Sequence, residues 1–205
     1  MASSEPKRNL PLWEPLEAQA ATPLAKPSRN RPVMIRPFEA ADALPMYAAV
    51  RETKEQLRRW MTWCNAGYSI ADAKAFIARC LRETKEDADR NFAIIDKHYG
   101  DFLGSIGLNQ VNVLQKSANV GYWVRKSAAN QGAATQAARL VAQQAFNGLG
   151  FQRLEFVVPI ENASSRLVAQ RIGARFEKVL EKGLMIADKM HDTSLYCLRA
   201  ADLAD

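Results

Sequence analysis

The 205-residue chain is 48% hydrophobic and 24% charged, enough apolar material for one packed domain with a solvated surface. Its 28 Lys and Arg outweigh 22 Asp and Glu, for a formal charge of +6. That surplus attracts acidic partners such as a polyphosphate. The basic residues are interleaved with acids, however, which argues against a dedicated nucleic-acid binder, and no apolar run reaches the roughly 20 residues of a membrane helix.

Residues 1–31 read as an extension, flexible or draped over the domain, because Pro6, Pro11, Pro15, Pro23 and Pro27 interrupt any long helix. The start lacks the apolar core of a secretory signal, so a cytoplasmic protein is expected. The folded domain, 32–205, opens with a short strand at Val33–Arg36 closed by Pro37. Two helices follow, over 40–63 and 69–88. The second begins with Ser69 and Asp72 at capping-box spacing.

The period then changes from helical to alternating. Strands are expected at 91–96, 103–113 and 119–125, with turns at Tyr99–Asp101 and Gln115–Ser117. A helix over 131–149 carries the stripe Ala134, Ala138, Val141, Ala145 and Leu149 and stops at Gly150. A strand at 153–159, a helix at 163–172 ended by Gly173, and an antiparallel pair at 176–186 and 190–199 complete the chain. This order predicts a mixed α/β (α+β) sheet with helices on both faces.

Cys64, Cys80 and Cys197 show no Cys-x-x-Cys spacing, and His98 and His191 are the only histidines. Neither a disulfide framework nor a metal site is expected. The informative stretch is Gly121-Tyr122-Trp123-Val124-Arg125, then Asn130-Gln131-Gly132-Ala133-Ala134-Thr135. It places a strand, a short loop and a helix start in sequence. Amides at a helix start have no internal partner and the macrodipole is positive there, so small residues at this point make an anion site of pyrophosphate size. Close packing of the helix alone accounts for the same composition.

A second stretch follows, Arg153-Leu154-Glu155 and then Glu161-Asn162-Ala163-Ser164-Ser165-Arg166-Leu167-Val168-Ala169, ending in Gly173-Ala174. With these motifs in this order, the chain from Val33 to Leu203 resembles the GNAT acetyltransferases, and most closely their RimJ/RimL-like branch of ribosomal-protein N-terminal acetyltransferases. The resemblance implies a GNAT fold, a mostly antiparallel sheet of about seven strands splayed at a cofactor cleft. It implies acetyl-CoA as co-substrate and a primary amine as acceptor, with a protein N-terminal amine, possible association with the ribosome, no membrane, and either a monomer or a homodimer.

Carried over residue by residue, the resemblance implies that the backbone of Trp123 and Val124 pairs with the pantetheine arm. Amides of Gln131, Gly132, Ala133, Ala134 and Thr135 hold the pyrophosphate. Asn162 bonds the pantetheine as well as capping its helix, and Ser165 meets the leaving thiolate. Glu155 is the candidate base for the amine proton, since related enzymes have a glutamate at the matching place. Trp60 and Trp63, at i, i+3 helical spacing, either line the acceptor pocket or pack the core, and Asn119 joins them as a pocket residue.

Three departures stand out. Ala129 replaces the usual Arg or Gln at the first loop position, Asn119-Val120 replace a frequent Glu before Gly121, and Gly173-Ala174 replace Gly-Phe. The alternatives are an acetyltransferase of small amines and a non-catalytic acyl-CoA-binding module. A cationic acceptor would need acidity from a few residues such as Glu52, Glu55 or Asp72.

Overall fold

The computed structural model describes residues 32–82 and 89–203. The extension expected at 1–31 and the last turn expected of the second helix lie outside the described residues. In chain order the elements are β1 (Val33–Pro37), α1 (Ala43–Trp60), α2 (Ile70–Arg82), β2 (Arg90–Asp96), β3 (Phe102–Asn112) and β4 (Ser117–Val124). Then come α3 (Ala133–Gln143), β5 (Arg153–Pro159), α4 (Ala163–Arg171), β6 (Arg175–Ile186) and β7 (Lys189–Leu198).

The seven strands form one sheet in the order β1-β2-β3-β4-β5-β7-β6. Every neighbouring pair is antiparallel except β4 and β5, which run parallel. Alternation along the strands sorts side chains to two cores. Leu108, Val120, Leu154, Phe156 and Leu198 meet α3 and α4 on one face, while Ala93, Ile95, Phe102 and Trp123 meet α1 and α2 on the other. In α1 the buried residues Met46, Ala49, Val50, Thr53 and Leu57 follow the helical period.

Two helices depart from the sequence expectation. The first is shorter than 40–63: a 3₁₀ turn at Ala40–Asp42 precedes α1, and the chain turns extended at Met61. Trp60 and Trp63 therefore do not share a helix face. The third is not one α-helix over 131–149. α3 stops at Gln143 and widens into a π turn at Gln144–Gly148, where the Leu149 N–H donates to the Gln144 carbonyl at 3.2 Å. The expected capping box of α2 is present: the Ser69 N–H donates to Asp72 at 2.8 Å, and the Asp72 N–H donates to the Ser69 hydroxyl at 3.4 Å.

Candidate active site

β4 and β5 stay paired for three residues only, Ser117 with Arg153, Ala118 with Leu154 and Asn119 with Glu155, and then part. Asn119 sits at the point of divergence. Its side-chain carbonyl accepts the Val157 N–H at 3.2 Å, and its amide donates to Asn109 Oδ1 at 2.8 Å. A side chain thus occupies the place of the next backbone bond between the strands. Gly121 makes room for this arrangement, since a Cβ there would stand 2.8 Å from the Asn109 amide nitrogen.

Beyond Asn119, β4 pairs only with β3. The Arg125 N–H donates to the Leu103 carbonyl at 2.7 Å. By strand alternation the backbone groups of Trp123 face β3 as well, whereas those of Tyr122 and Val124 face the gap. That leaves unpaired strand edge along one side of a cleft.

At the open end of the gap lies the loop from Arg125 to Gly132, clamped by α1. Glu52 accepts from Arg125 Nε at 2.9 Å and from the Ser127 N–H at 2.5 Å, and the Lys126 N–H donates to Thr53 Oγ1 at 2.9 Å. Partial burial works to raise the Glu52 pKa, but the Arg125 guanidinium and Ser127 hold it below the usual carboxylate value. Gln131 braces the loop from within, donating to the Ser127 carbonyl at 2.7 Å.

Gly132 enters α3 with φ +82°, a left-handed conformation that favours glycine. The Gln136 N–H donates to the Gly132 carbonyl at 2.9 Å, so the amides of Ala133, Ala134 and Thr135 precede the first helical bond and have no helical partner. No side chain caps this end, and residues 125–138 contain no carboxylate. Free donors, small side chains and the positive helix end fit a pyrophosphate.

A second helix start faces the same gap. Asn162, buried, caps α4 by accepting the Ser165 N–H at 3.2 Å. Tyr122 reaches from β4 across the gap and donates its hydroxyl to the Ser165 carbonyl at 3.1 Å. Burial pushes the Tyr122 pKa up to about 12, so it remains a neutral donor. Ser165 is thereby fixed from two sides.

On the α1/α2 face of the sheet, Glu155 accepts from Arg153 Nε at 2.7 Å, and Arg153 makes a two-pronged bond with Glu177 at 2.7 Å for each arm. The fork from Arg153 draws the Glu177 pKa down to about 2, while burial pushes the neighbouring Cys197 thiol up to about 11. Trp63, 38% exposed, lies 6.0 Å from Trp123 and 5.7 Å from Tyr68 between ring centroids. Trp60 stands apart from these rings, its own ring under the Arg59 guanidinium at 4.8 Å.

The structure thus brings Val124, Gln131–Thr135, Asn162 and Ser165 around one cleft, with Asn119 and Glu155 at its closed end. The sequence reading did not single out Tyr122 as part of the site, and it weighed Glu52 as a source of acidity for a cationic acceptor rather than as a loop anchor. Their partners lie 43 and 73 residues away, beyond any local pattern. Among the described residues no cluster of three or more His, Cys, Asp or Glu is placed to hold a metal ion, and no helix is long and apolar enough to cross a membrane.

Comparison with known proteins agrees with this fold. The acetyltransferase (GNAT) domain family matches residues 33–175. YdaF of Bacillus subtilis (strain 168), which carries a ribosomal N-acetyltransferase name, is 27% identical over 170 residues, covering 82% of this chain and 92% of that protein. Two solved structures share the fold. The microcin C7 self-immunity acetyltransferase MccE, in complex with acetyl-CoA and AMP, is 21% identical with a TM-score of 0.76, covering 83% of this chain and 94% of that one. Mycobacterium smegmatis RimJ, in complex with CoA-disulfide, is 24% identical with a TM-score of 0.75, covering 86% of each chain. With the family match spanning more than half of its length, this chain belongs to the GNAT acetyltransferases.

Proposed function

We propose that the protein transfers the acetyl group of acetyl-CoA to the α-amine of a polypeptide N-terminus, in the first instance that of a ribosomal protein in the cytoplasm. The carrying observation is the gap between β4 and β5, with two helix starts at its open end. It is accompanied by a cavity of about 510 Å³, open to solvent, between the α1–α2 connection and the β6–β7 turn. An open hollow of that size suits a chain end. The ribosomal N-acetyltransferase name of YdaF supports the same acceptor.

Acetyl-CoA supplies an activated thioester. In this reading the amides of Gln131 to Thr135 hold its pyrophosphate, and the strand edge at Val124, with Tyr122, lines the pantetheine path; the backbone of Trp123, expected to share that path, is turned to β3 instead. Asn162 uses its carbonyl on the Ser165 N–H, which leaves its amide free to donate into the cleft. The Ser165 hydroxyl gives the leaving thiolate a hydrogen-bond donor. Glu155 takes the amine's proton: Arg153 engages Oε1 alone, so Oε2 has lone pairs to accept it directly or through one water. Trp63 lines the acceptor side, and Asn119 holds the strands apart.

A small-amine acceptor is the second reading, on the strength of the fold shared with MccE. Thiol release measured with N-terminal peptides against spermidine and an aminoglycoside decides between them. Turnover of peptides at a kcat/KM well above the small amines is expected. The reverse order would overturn the proposal, and no turnover with any amine would make the protein a binding module.

A further inference from the structure

Of the acids that a cationic acceptor would draw on, Glu52 and Asp72 are already engaged. Glu52 is bound to Arg125 and Ser127, and Asp72 accepts from the hydroxyl and N–H of Ser69 at 2.7 and 2.8 Å. Glu155 is held by Arg153. In the cavity between the α1–α2 connection and the β6–β7 turn, the single carboxylate on the wall is Glu55.

Two cations line that same wall, Arg58 and Arg59 in the last turn of α1. Both are exposed, and neither forms an ion pair with a described residue. Arg59 lies over the Trp60 ring at 4.8 Å, which steadies its guanidinium. The next cation along, Lys54, is occupied by the Ala66 carbonyl at 2.6 Å. The α1–α2 connection that supplies Asn65 and Ala66 to the cavity also carries Trp63, whose ring meets Trp123 on β4 beside the gap. The α1–α2 connection thus runs from the Trp63 contact beside the gap to the wall that carries the two guanidiniums.

Building on the polypeptide-acceptor reading, we infer that the acceptor is an acidic tail, a polypeptide N-terminus with Asp or Glu within its first several residues, read by Arg58 and Arg59. Guanidinium heads suit carboxylates through paired N–H donors, and a polybasic acceptor meets repulsion at the same wall.

The test uses peptides sharing their first two residues and continuing with acidic, uncharged or lysine-rich segments, with steady-state kcat/KM measured on the full chain. The acidic peptide should exceed the uncharged one by about five- to tenfold, mostly through KM, and the margin should shrink at high salt. The double variant Arg58→Glu, Arg59→Glu should reverse the order of acidic and lysine-rich peptides, with acetyl-CoA affinity and melting temperature as controls of folding. Arg58→Gln, Arg59→Gln should flatten the order. Equal kcat/KM for all three peptides, or an acid preference that survives in both variants, would overturn this inference while leaving a polypeptide acceptor intact. Failure to acetylate any peptide would remove the polypeptide reading and this inference with it.

Discussion

Replacing Glu52 by Gln should weaken acetyl-CoA binding although Glu52 lies outside the proposed cofactor contacts, because it anchors the loop that presents them. Its carboxylate accepts from Arg125 Nε at 2.9 Å and from the Ser127 N–H at 2.5 Å, and the two side chains are only 26% and 27% exposed. Hydrogen bonds to charged groups contribute about 1.5–3 kcal/mol each. The amide keeps the shape and one acceptor oxygen, and solvent screens a pair that is a quarter exposed, so about 1–2 kcal/mol is lost. If that loss falls on the order of the loop, Kd rises about 5- to 30-fold. Calorimetric titration with acetyl-CoA at pH 7 measures it directly.

The pH dependence carries a sign of its own. Burial works to raise the Glu52 pKa, and Arg125 with Ser127 more than offsets this, leaving it below the ordinary 4.5. A depressed folded value means the stabilisation is complete above the unfolded pKa and lost as pH falls through the folded one. The stability gap between wild type and Glu52→Gln should therefore close below about pH 4.5. A Kd within twofold of wild type at pH 7, with the variant folded, would refute the anchoring role.

Gly132→Val should lower the melting temperature by several degrees and weaken acetyl-CoA binding, since an L-residue at φ +82° costs about 1–2 kcal/mol and a β-branched one more; unchanged melting and affinity would contradict the placement. Glu155→Gln should reduce kcat about 100-fold with acetyl-CoA affinity intact, and Ser165→Ala about tenfold; equal rates for wild type and Glu155→Gln from pH 6 to 9 would exclude Glu155 as the base. Glu177→Gln should destabilise the fold by about 1 kcal/mol at pH 7. Because Arg153 lowers the Glu177 pKa to about 2, that difference should fade in urea titrations between pH 4.5 and 2. Deleting residues 1–31 should leave a cooperative melt and acetyl-CoA binding, as among the described residues the sheet opens with β1 at Val33; an insoluble product would move the domain boundary.

Local chemistry was legible without the fold. Alternation placed the strand at 153–159 as found, and Ser69 with Asp72 announced the start of α2. Small residues around Gly132 pointed to a helix start, expected at Gln131 and found at Ala133. In each case the interacting groups lie within a few residues, where backbone geometry alone brings them together. The ordered motifs from Gly121 to Gly173 pointed to the GNAT family for the same reason, since each describes one strand–loop–helix unit.

What only the tertiary structure decided is which partner each polar side chain finds. Glu52 could have furnished an acidic pocket, yet the packing of α1 on the sheet delivers it to Arg125, 73 residues on. Asn119 reads from sequence as a pocket residue, whereas the order of strands sets its amide between Asn109 and the Val157 N–H, where it divides β4 from β5. Trp60 and Trp63 read as a helical pair, but α1 ends between them and only Trp63 reaches Trp123. A sequence states which groups can donate or accept. The choice among distant partners follows from sheet order and helix packing, because hydrogen bonds and ion pairs act over a few ångströms and those distances exist only once the chain has folded.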